Sequence, residues 1–186
     1  MTHIHFYSGK KEYRSLSNFW EREISIIDDD SVRIYESGEH CFHGEKYTRL
    51  GQLCYNDVRK MELMEYGKTF LKPSLYKTGA APKKAGGKKG LLLSHAELEV
   101  WCRVSIDVQS EICKWKFDNY EEVRADLMKS GDKILIHPAL RCKEELVKHR
   151  LWEGKMVSRD GSAVVIGENR LGKLWMDLRS QNFRTD

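Results

Sequence analysis

The sequence predicts an α+β fold: one mostly helical domain with a few short strands, chiefly near the N-terminus. Three observations carry this. The chain has 186 residues of which 40% are apolar, enough for one domain with its own core. Trp101, Val104, Val108, Ile112 and Trp115 recur at helical spacing, which predicts a long buried stripe. The strand-like runs are short, and no repeat or linker divides the chain into two cores.

The elements follow in order. Residues 3–8 read as a strand ending at Gly9. Residues 24–27 and 32–35 flank Asp28, Asp29 and Asp30 and predict a hairpin with an acidic tip. Ser37 is placed to cap a helix over 38–50, because its hydroxyl can accept from an orphan N–H of the first turn. Asn56 is expected to cap a second helix, with Val58, Met61, Leu63 and Met64 inward and an end near Gly67. The following stretch, with Gly79, Pro82, Gly86, Gly87 and Gly90, reads as a loop, either a phosphate-touching lid or a surface linker. Ser94 and Glu97 form a capping box opening a helix to about residue 117. Asn119 is expected to cap a helix over 120–129 closed by Gly131. A strand over 133–137, a short helix over 144–151 and an irregular loop from Trp152 past Asp160-Gly161 come next. A short strand over 163–166 precedes a final helix over 169–181 with Leu171, Leu174 and Leu178 inward.

Composition excludes several classes. The five cysteines are widely spaced with no C-x-x-C pair, so neither a disulfide framework nor a structural zinc site is expected. No apolar run is long enough to span a bilayer and no secretory signal opens the chain, which points to the cytosol or nucleus and away from membranes. The net charge of +4 is modest, but between 66 and 96 there is no Asp or Glu. That stretch carries Lys68, Lys72, Lys77, Lys83, Lys84, Lys88 and Lys89, a candidate surface for phosphates or nucleic acid.

The densest chemistry lies on the helix after Ser37. Glu39, Phe42, His43 and Lys46 share one face at i, i+3, i+4 and i+7. The stripe is either an amphipathic face with an internal ion pair or the wall of a site. His40, His43 and Glu39 alone give only a weak metal signal, and no H-x-x-x-H pair accompanies them. The sequence names no metal and no cofactor: Gly167-Glu168-Asn169-Arg170-Leu171-Gly172 lacks the spacing and the βαβ context of a dinucleotide fingerprint. A glycine-flanked helix start with Asn169 as N-cap can still attract an anion, and Gly172 can admit a second backbone. Trp101 lies on the apolar stripe, where it is either core or a face for a base or sugar.

Together these pieces resemble the YbiA-like family, also called NADAR, of N-glycosidases linked to NAD and ADP-ribose metabolism. The resemblance rests on Phe6-Tyr7 with Leu16-Ser17-Asn18-Phe19, on Ser37-Gly38-Glu39-His40 through Phe42 and Lys46, and on Trp101 upstream of Phe117. It is completed by Gly167, Asn169-Arg170-Leu171-Gly172, Leu174, Met176 and Leu178-Arg179, in family order. It implies a single domain over 1–186 that hydrolyses a bond between ribose C1′ and a base or amine nitrogen. Glu39, Lys46 and Trp101 match its catalytic positions. Phe6, Asn18, Phe19, His40, Phe42, His43, Trp152, Gly167, Asn169, Arg170, Leu171 and Gly172 are the candidate ligand-binding residues, with Asn18 and the Asn169 helix start placed to meet ribose and phosphate. Two positions depart from the pattern: His149 stands where the family often has Asp, and Glu153 intervenes between Trp152 and Gly154.

Cleaving a glycosidic C–N bond builds positive charge on the sugar, which a carboxylate such as Glu39 can stabilise. Lys46 is roughly 10 Å further along the same face at 1.5 Å rise per residue, within reach of one sugar. It can serve as a nucleophile forming a Schiff base, or hold Glu39 ionised. The acid-free lysine stretch favours ADP-ribosylated guanine in nucleic acid or nucleotides as substrate. The alternatives are phosphorylated riboflavin-pathway intermediates, or a non-catalytic ADP-ribose-binding module.

Overall fold

Seven helices and three two-stranded sheets make up the described residues, 3–28, 31–77 and 80–183 of a computed structural model. The α+β, mostly helical expectation therefore holds. The chain divides into a unit of residues 18–115 and a unit joining the first 17 residues to those from 116 onward. Asp29 and Asp30 of the expected acidic tip, and Gly79 of the expected loop, lie outside the described residues.

Strand β1 (His3–His5) belongs to the other unit, and in the unit of 18–115 the antiparallel hairpin of β2 (Ile24–Asp28) and β3 (Ser31–Tyr35) comes first. Ile24, Ile26 and Tyr35 face inward, the alternation a half-buried strand requires. Helix α1 (Gly38–Gln52) starts at Ser37, whose side chain accepts from the His40 N–H as expected. Helix α2 (Asp57–Lys68) is capped by Asn56, which accepts from the Arg59 N–H at 2.9 Å. Its expected stripe is corrected: Leu63 is buried, but Val58 and Met61 are exposed and Met64 is half-buried. The two helices meet through glycine instead. A Cβ on Gly67 would stand 2.8 Å from Thr48 Oγ1 and 3.2 Å from the Gly44 carbonyl, so backbones approach where bulky side chains cannot.

The stretch expected as a loop contains a short helix, α3 (Ala80–Ala85). Alanines favour it, and Pro82 sits in the first turn, where its missing N–H costs little. Helix α4 (His95–Asn119) opens on the expected capping box, with Ser94 N–H donating to Glu97 at 2.7 Å and Glu97 N–H to Ser94 at 3.2 Å. Its residues up to Trp115 belong to this unit. Val108 and Ile112 join Ile24, Ile26, Tyr35, Cys41, Tyr47, Leu50, Leu63 and Phe70 in one core, against which Trp101 and Trp115 pack partly buried. Glu45 is fully buried within the unit and saturated with donors: Arg33 Nε at 2.7 Å, the Tyr35 hydroxyl at 2.7 Å and Arg49 Nε at 2.9 Å.

The other unit pairs β1 (His3–His5) in parallel with β4 (Ile134–Ile136). Helix α5 (Glu121–Ser130) is preceded by Tyr120 in extended backbone, so Asn119 is the last residue of α4 and not the expected cap. Gly131, at φ 50°, closes α5. Helix α6 (Glu144–Val147) is shorter than expected. The expected irregular loop holds a strand, β5 (Lys155–Arg159), paired with β6 (Ser162–Ile166) across Asp160 and Gly161. Their φ of 51° and 78° give the left-handed pair that a two-residue hairpin needs.

Helix α7 (Arg170–Asn182) corrects another expectation. Asn169 has φ 48° and makes no side-chain cap. Its amide instead donates to the Leu135 carbonyl at 2.9 Å and accepts from the His137 N–H at 3.1 Å, tying the helix start to β4. Leu171 is buried, Leu174 and Leu178 are half-buried, and the deepest inward residue is Trp175, which donates to the Leu16 carbonyl at 2.9 Å. Gly172 admits the close approach foreseen for it: a Cβ there would collide with the Leu135 carbonyl. Gly172→Ala is expected to destabilise the protein by about 1–3 kcal/mol by overpacking, despite the better helix propensity of Ala. Urea unfolding checks this, and an unchanged or raised midpoint contradicts it.

Candidate active site

The chemistry is concentrated on one buried face of α1. Glu39 sits in the first turn, where the helix dipole favours a carboxylate. Its backbone N–H donates to the Asn18 carbonyl at 2.9 Å, and Gly38 lets Asn18 come close: a Cβ there would be 2.9 Å from Asn18 Oδ1. Glu39 and Lys46 are each only 7% exposed, which sets this stripe apart from a solvated amphipathic face. An i,i+4 pair exists, but it joins His43 Nε2 to Glu39 Oε1 at 3.2 Å. Burial lowers the proton affinity of His43, Glu39 opposing that effect, so a neutral ring donates from Nε2. Its Nδ1 is buried with no hydrogen-bond partner among the described residues and lies against Gly86, where a Cβ would collide with the ring.

Lys46 meets the same residue, Gly86, that packs against His43. Its ammonium donates to the Gly86 carbonyl and stands 4.7 Å from the centre of the Tyr47 ring. Among the described residues no carboxylate lies within 4.0 Å of it, so it does not pair with Glu39. Desolvation lowers its pKa to about 8, leaving an appreciable neutral fraction near physiological pH.

Aromatic rings enclose these groups. Phe42 meets Trp101 edge-on at 5.0 Å, which brings Trp101 to the same side of α1 while it still packs on the core. Phe42 also lies 5.5 Å from His43, and His43 6.3 Å from Phe70. Phe19 is half-buried, with the Lys83 ammonium 5.6 Å from its centre. Asn18 exchanges two amide hydrogen bonds with Gln109, at 2.7 and 3.1 Å, so its side chain is engaged inside the protein. His40 is likewise engaged, its Nε2 2.7 Å from the Tyr76 carbonyl and its Nδ1 2.8 Å from Ser37 Oγ. This unit thus gathers Glu39, Phe42, His43, Lys46 and Trp101, with Asn18, Phe19 and His40 on the same elements.

The remaining expected site residues belong to the other unit. Phe6 is fully buried, its ring 5.6 Å from that of His137. Asn169, Leu171 and Gly172 are buried against their own unit. Gly167, at φ 82°, fills a turn where a Cβ would come 2.6 Å from the Glu153 carbonyl. Arg170 lies 3.5 Å from Glu168, Trp152 is half-buried and His149 is exposed.

The sequence named Gly86 and Lys83 only as members of the glycine- and lysine-rich stretch, without placing them beside the α1 stripe. Gln109, the partner of Asn18, carried no signal. A cavity of about 680 Å³ is lined by Arg33, Thr48, Arg49, Gln52 and Lys68 among others, and its lining does not include Glu39, His43 or Lys46.

These features define a small α+β protein with a buried carboxylate and amine and a half-buried imidazole on one helix, groups suited to acid–base and nucleophilic chemistry. The NADAR domain model matches residues 5–181, and the chain belongs to the NADAR family, which is associated with N-glycosidase activity. Its fold is similar to the NMR structure of the E. coli protein YbiA, with 21% identity, a TM-score of 0.54, and 97% of this chain and 88% of that chain covered. No curated protein matches the chain in sequence. Among the described residues no helix is long and apolar enough to cross a membrane.

Proposed function

We propose that this protein is an N-glycosidase that removes ADP-ribose from ADP-ribosylated guanine, in nucleic acid or in nucleotides. The observation that carries the reading is the buried Lys46 amine, with a pKa of about 8 and no carboxylate partner among the described residues, on the face that buries Glu39 and carries His43. An amine of this kind is a nucleophile near neutral pH, and a desolvated carboxylate stabilises positive charge developing on a ribose.

The chemistry runs in three steps. The neutral Lys46 Nζ attacks C1′, the bond to the base breaks, and the base leaves with the electron pair and takes a proton. One Nζ proton then moves to O4′ as the C1′–O4′ bond opens, giving an iminium and a hydroxyl. Water adds to the iminium, releasing the sugar, the amine and a proton. Glu39, oriented by His43, faces the cationic stages, and Trp101 offers a ring to the sugar or base.

The choice of an ADP-ribosylated substrate is supported by the lysines. Lys68 and Lys72 are neutralised by Glu65 and Glu23, carboxylates from outside the acid-free stretch. Lys77, Lys84, Lys88 and Lys89 are exposed and make no ion pair among the described residues, which leaves them able to meet a phosphate backbone.

The test is mass detection of released base and ADP-ribose from a panel of N-ribosides. Release from ADP-ribosylated guanine is expected. A preparation that cleaves a phosphorylated riboflavin precursor, yet leaves ADP-ribosylated guanine intact, overturns the substrate; one that binds ADP-ribose without turning over any riboside overturns the enzyme.

A further inference from the structure

We infer that Lys83 reads a phosphate carried on the ribose held against α1, a specificity role that separates it from the other lysines of its stretch. The inference rests on the site proposed above and names the class of sugar it takes.

Position argues first. Gly86 packs so closely on His43 that no Cβ fits between them, and Lys46 donates to the Gly86 carbonyl. The chain at Gly86 is therefore seated on the chemical face of α1. Lys83 lies three residues earlier, and the Gly86 N–H donating to the Pro82 carbonyl at 2.7 Å continues the helical turn of α3 between them. Residues three apart in such a turn share a side, so Lys83 is on the side that carries Gly86, whereas Lys84 is rotated away. The observed contact agrees: the Lys83 ammonium lies over the Phe19 ring, in the unit and on the segment that also supplies Asn18 behind Glu39.

Charge argues second. Lys46 and Lys83 both act electrostatically on His43 and lower its proton affinity, so both lie within reach of that ring. Against them the carboxylate of Glu39 acts in the opposite sense, and with Lys46 protonated two cations and one carboxylate bear on that ring. Lys83 makes no ion pair among the described residues, unlike Lys68 and Lys72. An anionic group on the sugar completes the balance, and a lysine meets phosphate as a compact point charge with three donors.

Calorimetric titration of ribose 5-phosphate, ADP-ribose and unphosphorylated ribose tests this. The wild-type protein is expected to prefer ribose 5-phosphate over ribose. Lys83→Ala should weaken binding of ribose 5-phosphate and ADP-ribose about tenfold, the scale of one charge-assisted hydrogen bond, with ribose unaffected. Lys83→Arg should recover most of the loss, and equal melting temperatures would show that all three proteins are folded. Unchanged affinity for ribose 5-phosphate in Lys83→Ala overturns the inference, as does a wild-type protein that binds ribose as well as its phosphate. Base release from N-ribosides measured in parallel keeps the two ideas apart. A wild-type protein that prefers the phosphate but releases no base retains the phosphate site and loses the glycosidase reading.

Discussion

Glu39→Gln is expected to slow base release by about 10²–10⁴-fold, the usual contribution of a positioned acid–base or charge-stabilising group. The substitution keeps the shape and the acceptor for His43 but removes the charge that opposes a developing oxocarbenium. Because Glu39 is nearly buried and its backbone is held by Asn18, little repacking should follow. Binding of ADP-ribose should therefore survive, and the loss should fall on kcat more than on KM. Steady-state kinetics beside calorimetric binding decides it. Undiminished turnover in Glu39→Gln sinks the assignment, and loss of binding with loss of turnover would recast Glu39 as a ligand-holding group.

Lys46→Met should abolish turnover and, at the same time, make the protein more stable at pH 7. The first effect follows from removing the nucleophile, and in the wild type borohydride should trap a covalent adduct with the sugar that Lys46→Met cannot form. Turnover should also rise with pH through about 8, as the amine loses its proton. The second effect follows from linkage. The Lys46 pKa is lowered from 10.5 to about 8 on folding, so the unfolded chain holds that proton more tightly. Below about 8 the buried ammonium costs the fold on the order of 2–3 kcal/mol, and stability is regained as pH rises towards the unfolded pKa. Methionine fills a similar volume without the charge. Urea unfolding at pH 7 and pH 9.5 should show Lys46→Met ahead of the wild type at the lower pH and the gap narrowed at the higher. A Lys46→Met protein less stable than wild type at pH 7 contradicts the account.

Much of this was legible in the residues, and the failures have physical causes. Ser37, Asn56 and the Ser94–Glu97 box announced their helices because a cap is a local bond between near neighbours. The stripe of Glu39, Phe42, His43 and Lys46 was readable because helical spacing alone decides which residues share a face. Its burial was not, because that depends on segments far along the chain, such as the carbonyl of Gly86 reaching Lys46. The α2 stripe misled because the α1–α2 contact uses Gly67, and glycine leaves no hydrophobic signature. Asn169 looked like a cap since Asn favours caps, yet tertiary bonds to β4 took its amide and turned its backbone left-handed. Two charges of the acid-free lysine stretch are met by glutamates outside it: Lys68 by Glu65, three residues back on α2, and Lys72 by Glu23, far away in the chain, which no local window contains.

The saturated Glu45 carboxylate has a further consequence. It lies on the side of α1 turned away from Glu39 and Lys46, where Arg33, Tyr35 and Arg49 hold it, and Arg49 reaches on to Glu111 at 2.7 Å. One side of the helix is thus a keel, anchored to β3 and α4, and the other is a workbench. Strain accepted on the workbench, such as an unpaired ammonium out of water, is tolerated because the keel does not depend on it. Folding and turnover in this protein can therefore drift apart along a single helix, each answerable to a different edge of the same fifteen residues.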